Sequence, residues 1–315
     1  KHLVCRDKCR FYFCLYIVLS SINVLETVSM LILYILIIVL FFYGEQEIFS
    51  TSFYRMKTNK LTLKKGPIWI VHLSDLHSKS FGYKNRRLIR RIKHLNPDFI
   101  VTTGDMITST DANGEVFLDF VKSCSNSYPI FYIEGNHEIT AKYDQLNHET
   151  GWYDDYLQSL EELGVYVLKN DYRKLTINDE VIYIYGLTVP LAHYYAVPES
   201  IQKQVNVKKI EHIDEVLPSI NPNYLNVLLA HNPFLASLYE AHGFDQVYCG
   251  HVHGGAIRLP WLGGLLSPER KLFPKYSAGV YKLGKMKMVV SRGLGRLRLF
   301  NRPEIVVVEI TAKGS

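Results

Sequence analysis

The chain has 315 residues, 48% of them apolar, and a formal net charge of +6. That length buries one large core with an appendage to spare, and a modest charge spread along the chain is no argument for a nucleic-acid partner. Five cysteines, at positions 5, 9, 14, 124 and 249, contain no C-x-x-C pair and exclude an extracellular disulfide framework.

Lys1 stands where an initiator methionine is expected, so the expectation is an N-terminus that is missing or misassigned. Phe11 to Leu25 is apolar but broken by Ser20, Ser21 and Asn23, and reads as an interfacial lead-in. Thr27 to Gly44 carries no charge, which predicts a single membrane span over residues 27–43, since a hydrocarbon core of about 30 Å needs close to that length. A cleaved signal peptide would be shorter and end in small residues, whereas this run ends Phe41-Phe42-Tyr43-Gly44-Glu45. Basic residues flank it on both sides, Lys1, Arg6, Lys8 and Arg10 against Arg55, Lys57, Lys60, Lys64 and Lys65. Orientation is therefore nearly balanced, with a slight preference for placing the C-terminal domain on the cytoplasmic face. Cys5, Cys9 and Cys14 lie where the span begins and are candidates for reversible acylation. Residues 45–66, polar and basic without sustained periodicity, read as a juxtamembrane linker ahead of one domain over 67–315.

Within that domain Ile68–Leu73 predicts a buried strand ending at Ser74-Asp75, followed by a helix from about Asn85 to Leu95 that Asn96-Pro97 closes. Phe99–Thr103 is a second strand, Val116–Val121 a helix, and Pro129–Ile133 a third strand. Trp152–Leu163 reads as a helix; Val181–Tyr185, Asn226–Ala230, Asp245–Cys249 and Ile305–Ile310 read as strands. Strand–helix alternation with continuous apolar strands predicts parallel βαβ units covered on both faces. Residues 190–223 lack a clear pattern and read as an insertion or lid.

Five clusters of metal-type ligands fall where these strands run into loops: Asp75-Leu76-His77, Gly104-Asp105, Gly135-Asn136-His137-Glu138, Ala230-His231-Asn232 and Gly250-His251-Val252-His253-Gly254-Gly255. Carboxyl ends of parallel strands are where such a sheet places its ligands. Asp, Asn and His with little sulfur suit two divalent ions drawn from Mn, Fe, Zn, Co or Ni. A bridging carboxylate holds two such ions about 3.5–4 Å apart, and a hydroxide between them is a nucleophile near neutral pH. Taken singly, Asp75 could cap a helix and Asp105 could sit in a turn, and a lone histidine such as His72 is more often structural. Those readings explain single residues and leave the ordered set unexplained.

The ordered set resembles the calcineurin-like metallophosphoesterase superfamily, over about residues 67–312. Gly254-Gly255-Ala256-Ile257-Arg258-Leu259-Pro260, Ser291-Arg292-Gly293-Leu294-Gly295 and Arg302-Pro303-Glu304-Ile305 resemble the YkuE-like, often membrane-tethered, bacterial subgroup. The resemblance implies a four-layer α/β/β/α sandwich. It also implies one metal on Asp75, His77, Asp105 and His253, and a second on Asp105, Asn136, His231 and His251. His137 would stabilise the transition state or protonate the leaving oxygen, with Glu138 orienting it. The implied reaction is hydrolysis of a phosphoester or pyrophosphate, and relatives in this subgroup include UDP-2,3-diacylglucosamine pyrophosphatases.

Two features bear on the substrate. Arg86, Arg87, Arg90 and Arg91 form a basic stripe that could meet phosphate or anionic headgroups, or be a solvated helix face. Leu259 to Leu266, with Trp261, is an apolar loop that could dip into a membrane, hold an acyl chain, or pack on a neighbouring strand. A lipid-linked substrate is one expectation, a soluble-nucleotide phosphodiester another, and a metal-bound non-catalytic scaffold a third. No nucleic-acid partner is expected, because basic and aromatic residues are not interleaved in a recognisable module.

Overall fold

The computed structural model describes residues 26–148, 151–195, 208–255, 257–259, 263–267, 272–296 and 298–313. The cysteines at 5, 9 and 14, the lead-in before Glu26, and Pro260, Trp261 and Leu262 lie outside the described residues.

Residues 1–45 and 46–315 are separate compact units. The first contributes most of helix α1 (Glu26–Glu47), 22 residues with a mean hydropathy of 2.5 over its apolar window. At 1.5 Å per residue such a helix is about 33 Å long, enough to cross a bilayer.

The second unit is built on two six-stranded sheets. In chain order its strands are β1 (Ser50–Thr58), β2 (Ile68–Leu73), β3 (Phe99–Thr103), β4 (Ile130–Ile133), β5 (Tyr166–Val167), β6 (Asp171–Ile177), β7 (Glu180–Leu187), β8 (Leu225–Ala230), β9 (Gln246–Cys249), β10 (Arg258–Leu259), β11 (Gly263–Gly264), β12 (Gly279–Leu283), β13 (Met286–Val290) and β14 (Glu304–Ala312). One sheet runs β1-β14-β2-β3-β4-β5 and the other β12-β13-β9-β8-β7-β6, while β10 and β11 form a small hairpin. The centre of each sheet is parallel, β2 to β3 to β4 and β7 to β8 to β9, as the continuous apolar runs require.

Alternation along each strand separates the layers. Ile68 and Ile70 of β2 join Phe99, Val101, Val306 and Val308 in one apolar cluster with Ile182, Val227 and Tyr248 of the other sheet. The opposite faces carry Val71, Leu73, Ile305 and Val307 against helices α2 (Arg86–Leu95), α3 (Glu115–Cys124) and α5 (Trp152–Glu162). On the far side, Leu228, Ala230 and Val247 pack with Ala236 and Tyr239 of α6 (Ala236–His242) and with Leu191, Ile210 and Ile213. Helix, sheet, sheet and helix follow in that order, the four-layer sandwich expected.

Two expectations change. The segment read as a linker contains β1, which pairs in parallel with β14 from Ser50↔Glu304 to Thr58↔Ala312 and buries Met56. An edge strand with one wet face is polar at alternate positions, so its composition imitates a linker. Part of the 190–223 segment is wall, because Leu191, Tyr194, Ile210, Ile213 and Leu217 are buried on the second sheet.

Candidate metal centre

Strands β2, β3, β8 and β9 deliver the clusters to one rim, and their loops are laced together by backbone. Asp75 N donates to Gly104 O at 3.0 Å, His77 N to Asp105 O at 2.9 Å, and Gly250 N to His231 O at 3.1 Å. Helix α4 (Asn136–His148) starts directly after β4, so Asn136 and His137 occupy its first turn.

Three sets of ligand atoms converge, each within 4.8 Å: Asp75, His77 and His253; His77, Asp105 and His137; and Asp105, His231 and His251. Asp105 belongs to two of them. Its Oδ2 lies 3.7 Å from His77 Nε2 and 3.2 Å from His231 Nε2, and His253 Nε2 lies 3.7 Å from Asp75 Oδ1. Six of the seven residues expected as ligands, Asp75, His77, Asp105, His231, His251 and His253, belong to these sets; Asn136 does not, and precedes His137 in the first turn of α4.

The backbone here is strained. Asp75, His77, Asp105, His251 and His253 all have positive φ, between 49° and 70°. Each such residue costs on the order of 1–3 kcal/mol and persists only where its surroundings dictate it. Two glycines make room for Asp75. A Cβ on Gly250 would stand 2.5 Å from Asp75 Oδ2, and one on Gly293 would stand 2.6 Å from Asp75 Cβ.

Charge states follow from burial and neighbours. Burial lowers His77 and lowers His253 strongly, so both imidazoles are neutral and their lone pairs available. Burial alone would raise Asp105, but the charges of His231 and His137 outweigh it and hold the carboxyl well below its usual range. For His231 burial is outweighed by Asp105, which raises it to about 9. His231 Nδ1 donates to Thr103 O at 2.6 Å, which fixes the ring and turns Nε2 to the cluster.

His137 Nδ1 accepts the Ser109 N–H at 3.1 Å, so in the neutral ring the proton sits on Nε2. Its ring meets His77 edge-on at 4.6 Å. Among the described residues no hydrogen bond joins Glu138 to His137, so any orienting of that ring by Glu138 runs through the backbone. The Glu138 carboxyl group is fully buried and accepts the backbone N–H groups of Asp105 (2.7 Å), Met106 (2.7 Å), Ile107 (3.3 Å) and Gly135 (2.9 Å), while burial and the Asp105 charge raise its pKa to about 8. Adjacent helical residues diverge by about 100°, so one faces the metals while the other faces back into the loops. The Gly135 bond is the glutamate half of a capping box.

Other residues at the centre carry no motif. The Tyr194 ring stands 4.8 Å from that of His251 and forms part of the wall. Arg298, 3% exposed, donates to His253 O at 3.4 Å and places Nη2 3.2 Å from His253 Nδ1. Asn301 Nδ2 donates to the same carbonyl at 2.6 Å. The Ser291–Gly295 motif touched this shell; nothing pointed to Arg298 or Tyr194.

The donor set can be tested for fit to metal. Among the described residues the buried Asn136 Oδ1 has no hydrogen-bond partner, and His231 Nε2 meets the Asp105 carboxylate at 3.2 Å. A buried amide oxygen is rarely left so, and amide oxygen, carboxylate and imidazole nitrogen are donors that divalent cations bind. The residues therefore fit a pair of divalent ions.

A family model described as calcineurin-like phosphoesterase matches residues 68–255. Phosphodiesterase YaeI of Escherichia coli is 26% identical over 251 residues, 78% of this chain and 82% of its own. The uncharacterized metallophosphoesterase YkuE of Bacillus subtilis is 26% identical over 278 residues, 84% of this chain and 86% of its own. UDP-2,3-diacylglucosamine pyrophosphatase LpxG of Chlamydia muridarum is 26% identical over 295 residues, 76% of this chain and 82% of its own. Against other relatives the chain spans as little as 60% of their length.

Proposed function

This chain belongs to the calcineurin-like phosphoesterase family, and from that premise we propose that it is a two-metal hydrolase of phosphoester or pyrophosphate bonds, tethered by α1 to a membrane. The observation that carries the reading is the sharing of Asp105 between two sets of ligand atoms, its Oδ2 lying 3.7 Å from His77 Nε2 and 3.2 Å from His231 Nε2. Asp75, His77, Asp105 and His253 would hold one cation, and Asp105, Asn136, His231 and His251 the other. When bound, the cations supply Lewis-acid activation of water and of a phosphoryl oxygen.

The protein's own residues do the rest. His77 and His253 offer uncharged nitrogens, so binding there costs no proton. His231 is aimed by Thr103 O. His137, whose Nδ1 accepts the Ser109 N–H, would stabilise the transition state by donating a hydrogen bond from Nε2–H, or in its protonated form protonate the departing oxygen. Glu138 holds the Asp105 and Gly135 loops in register, which keeps the bridging carboxylate and His137 at fixed separation; Asp105 Oδ1 accepts the His137 N–H at 2.9 Å.

The finer reading is a lipid-linked substrate such as UDP-2,3-diacylglucosamine. It is supported by the apolar helix and by the likeness to LpxG. The full chain in detergent, loaded with Mn, Zn or Fe, should turn over aryl phosphodiesters and prefer the lipid-linked pyrophosphate to soluble nucleotides. Asp105→Asn should abolish both activities. Preference for a soluble nucleotide diester would remove the lipid reading, and absence of any metal-dependent turnover would remove the hydrolase.

A further inference from the structure

Helix α2 carries cations that the metal centre does not use, and the helical repeat sorts them onto two faces. Arg87 and Arg91 turn toward the segment that follows α1. Arg87 Nη2 donates to Glu47 O at 2.7 Å with Nη1 3.6 Å from the Glu47 carboxylate, and Arg91 Nε donates to Thr51 Oγ1 at 3.1 Å. Lys79, fully buried, donates to Gln46 O. The start of α2 is thus fastened to residues 46–51.

On the other face Lys84, Arg86, Arg90 and Lys93, with Tyr83, Ile89 and Ser123, line an open groove of about 620 Å³. Among the described residues, Asp119 is the carboxylate within ion-pair distance of these cations, its Oδ1 4.0 Å from Lys84 Nζ. Four cations against one carboxylate leave the groove positive. Tyr83 is 74% exposed and is held outward by a corner in which Gly82, Lys84 and Asn85 all have positive φ. Asn85 locks that corner, accepting from Phe81 N at 2.9 Å and donating to Val116 O at 2.8 Å. An outward tyrosine among lysines and arginines suits the headgroup level of a bilayer.

We propose that this groove docks anionic phospholipid headgroups of the bilayer that α1 enters, so that the catalytic unit rests on the membrane instead of swinging from its tether. The inference rests on the anchor reading of α1. Each lysine or arginine near an anionic leaflet contributes about 1 kcal/mol, a factor of about five in the docked population.

The test uses the full chain in nanodiscs of phosphatidylcholine with or without about a third phosphatidylglycerol. Hydrogen exchange over residues 82–95 should slow about fivefold or more with phosphatidylglycerol. The difference should vanish in the combined Lys84→Gln, Arg86→Gln, Arg90→Gln and Lys93→Gln variant, and millimolar glycerol 3-phosphate should not reproduce it in neutral discs. Equal exchange in both discs, or a difference that survives in the variant, overturns the proposal alone. Equal slowing by glycerol 3-phosphate reassigns the groove to a soluble anion and also overturns it. Release of the chain from vesicles by alkaline carbonate would overturn the anchor, and the proposal with it.

Discussion

The Nε2 atoms of His77 and His253 stand 3.4 Å apart, their rings stacked with centroids 5.0 Å from each other. Burial keeps both imidazoles neutral, and Asp75 and Asp105 lie within 3.7 Å of one or the other. Two lone pairs and two carboxylates around one point make a cation position. His253→Ala should therefore reduce bound metal from two ions per chain to one, measured by elemental analysis after gel filtration. Activity should fall on the order of 100-fold or more, since two-metal chemistry needs both ions. Retention of two ions would show that His253 is not a ligand.

Metal uptake should depend on pH through His231. Its pKa is raised from 6.5 to about 9, so near pH 7 the apo site carries a proton that a ligating nitrogen must lose. Affinity for the ion at this site should rise about tenfold per pH unit between 6.5 and 9 and flatten above. The apo protein should show the converse. Stabilisation from protonated His231 is complete below 6.5 and lost as pH climbs through 9. Titrations with Zn in buffers of different ionisation heat would count the released proton, and a pH-independent affinity across this window would contradict the assignment.

Glu138→Gln should destabilise the fold and not merely slow turnover. The amide has one acceptor oxygen, so two of the four backbone N–H groups that Glu138 now accepts would face an NH₂. Leaving a buried amide without its acceptor costs about 1–3 kcal/mol each, which in a domain of this size lowers Tm by roughly 4–15 °C. Thermal melts of the apo variant test this, because a residue acting only on His137 would leave the apo Tm unchanged.

Much of this arrangement is legible in the sequence because central parallel strands are apolar throughout and end abruptly in polar loops. Ile68–Leu73, Phe99–Thr103 and Leu225–Ala230 each announce themselves in that way, and the ligand clusters follow at their carboxyl ends. Strand β1 does not, because half its residues face water. Glu138 makes no direct bond to His137 for a geometric reason, since neighbours in a motif need not be neighbours around a helix. Tyr194 and Arg298 reach the centre through contacts distant in sequence, 57 positions to His251 and 45 to His253, which no local pattern encodes.

Strand β1 makes its own prediction. A chain beginning at Gln46 should fold and remain soluble, whereas one beginning at Pro67 should aggregate. The shorter chain loses nine residues paired with β14, at about 1 kcal/mol net per hydrogen bond, and about 2 kcal/mol from the burial of Met56. Such losses approach the whole stability of an ordinary domain, about 5–15 kcal/mol. They also bare the edge of β14 to intermolecular pairing. Circular dichroism and size-exclusion profiles of the two truncations decide the matter, and a folded monomer from Pro67 would restore the linker reading.

His137 is the residue whose role depends most on chemistry and least on folding. It is half-buried, its Nδ1 is occupied by Ser109 N–H, and its ring stands edge-on to that of His77. If it protonates the leaving oxygen, the penalty for its loss must scale with how badly that oxygen needs a proton. An alkyl alkoxide leaves poorly without one, whereas p-nitrophenolate leaves unaided. His137→Ala should therefore lower kcat by about 10²–10⁴ on an alkyl phosphodiester and by much less on a p-nitrophenyl ester. Bound metal should stay at two ions per chain, which separates this outcome from loss of a ligand. An equal loss on both substrates would instead assign His137 to electrostatic stabilisation of the phosphoryl oxygens, because that contribution is indifferent to the leaving group.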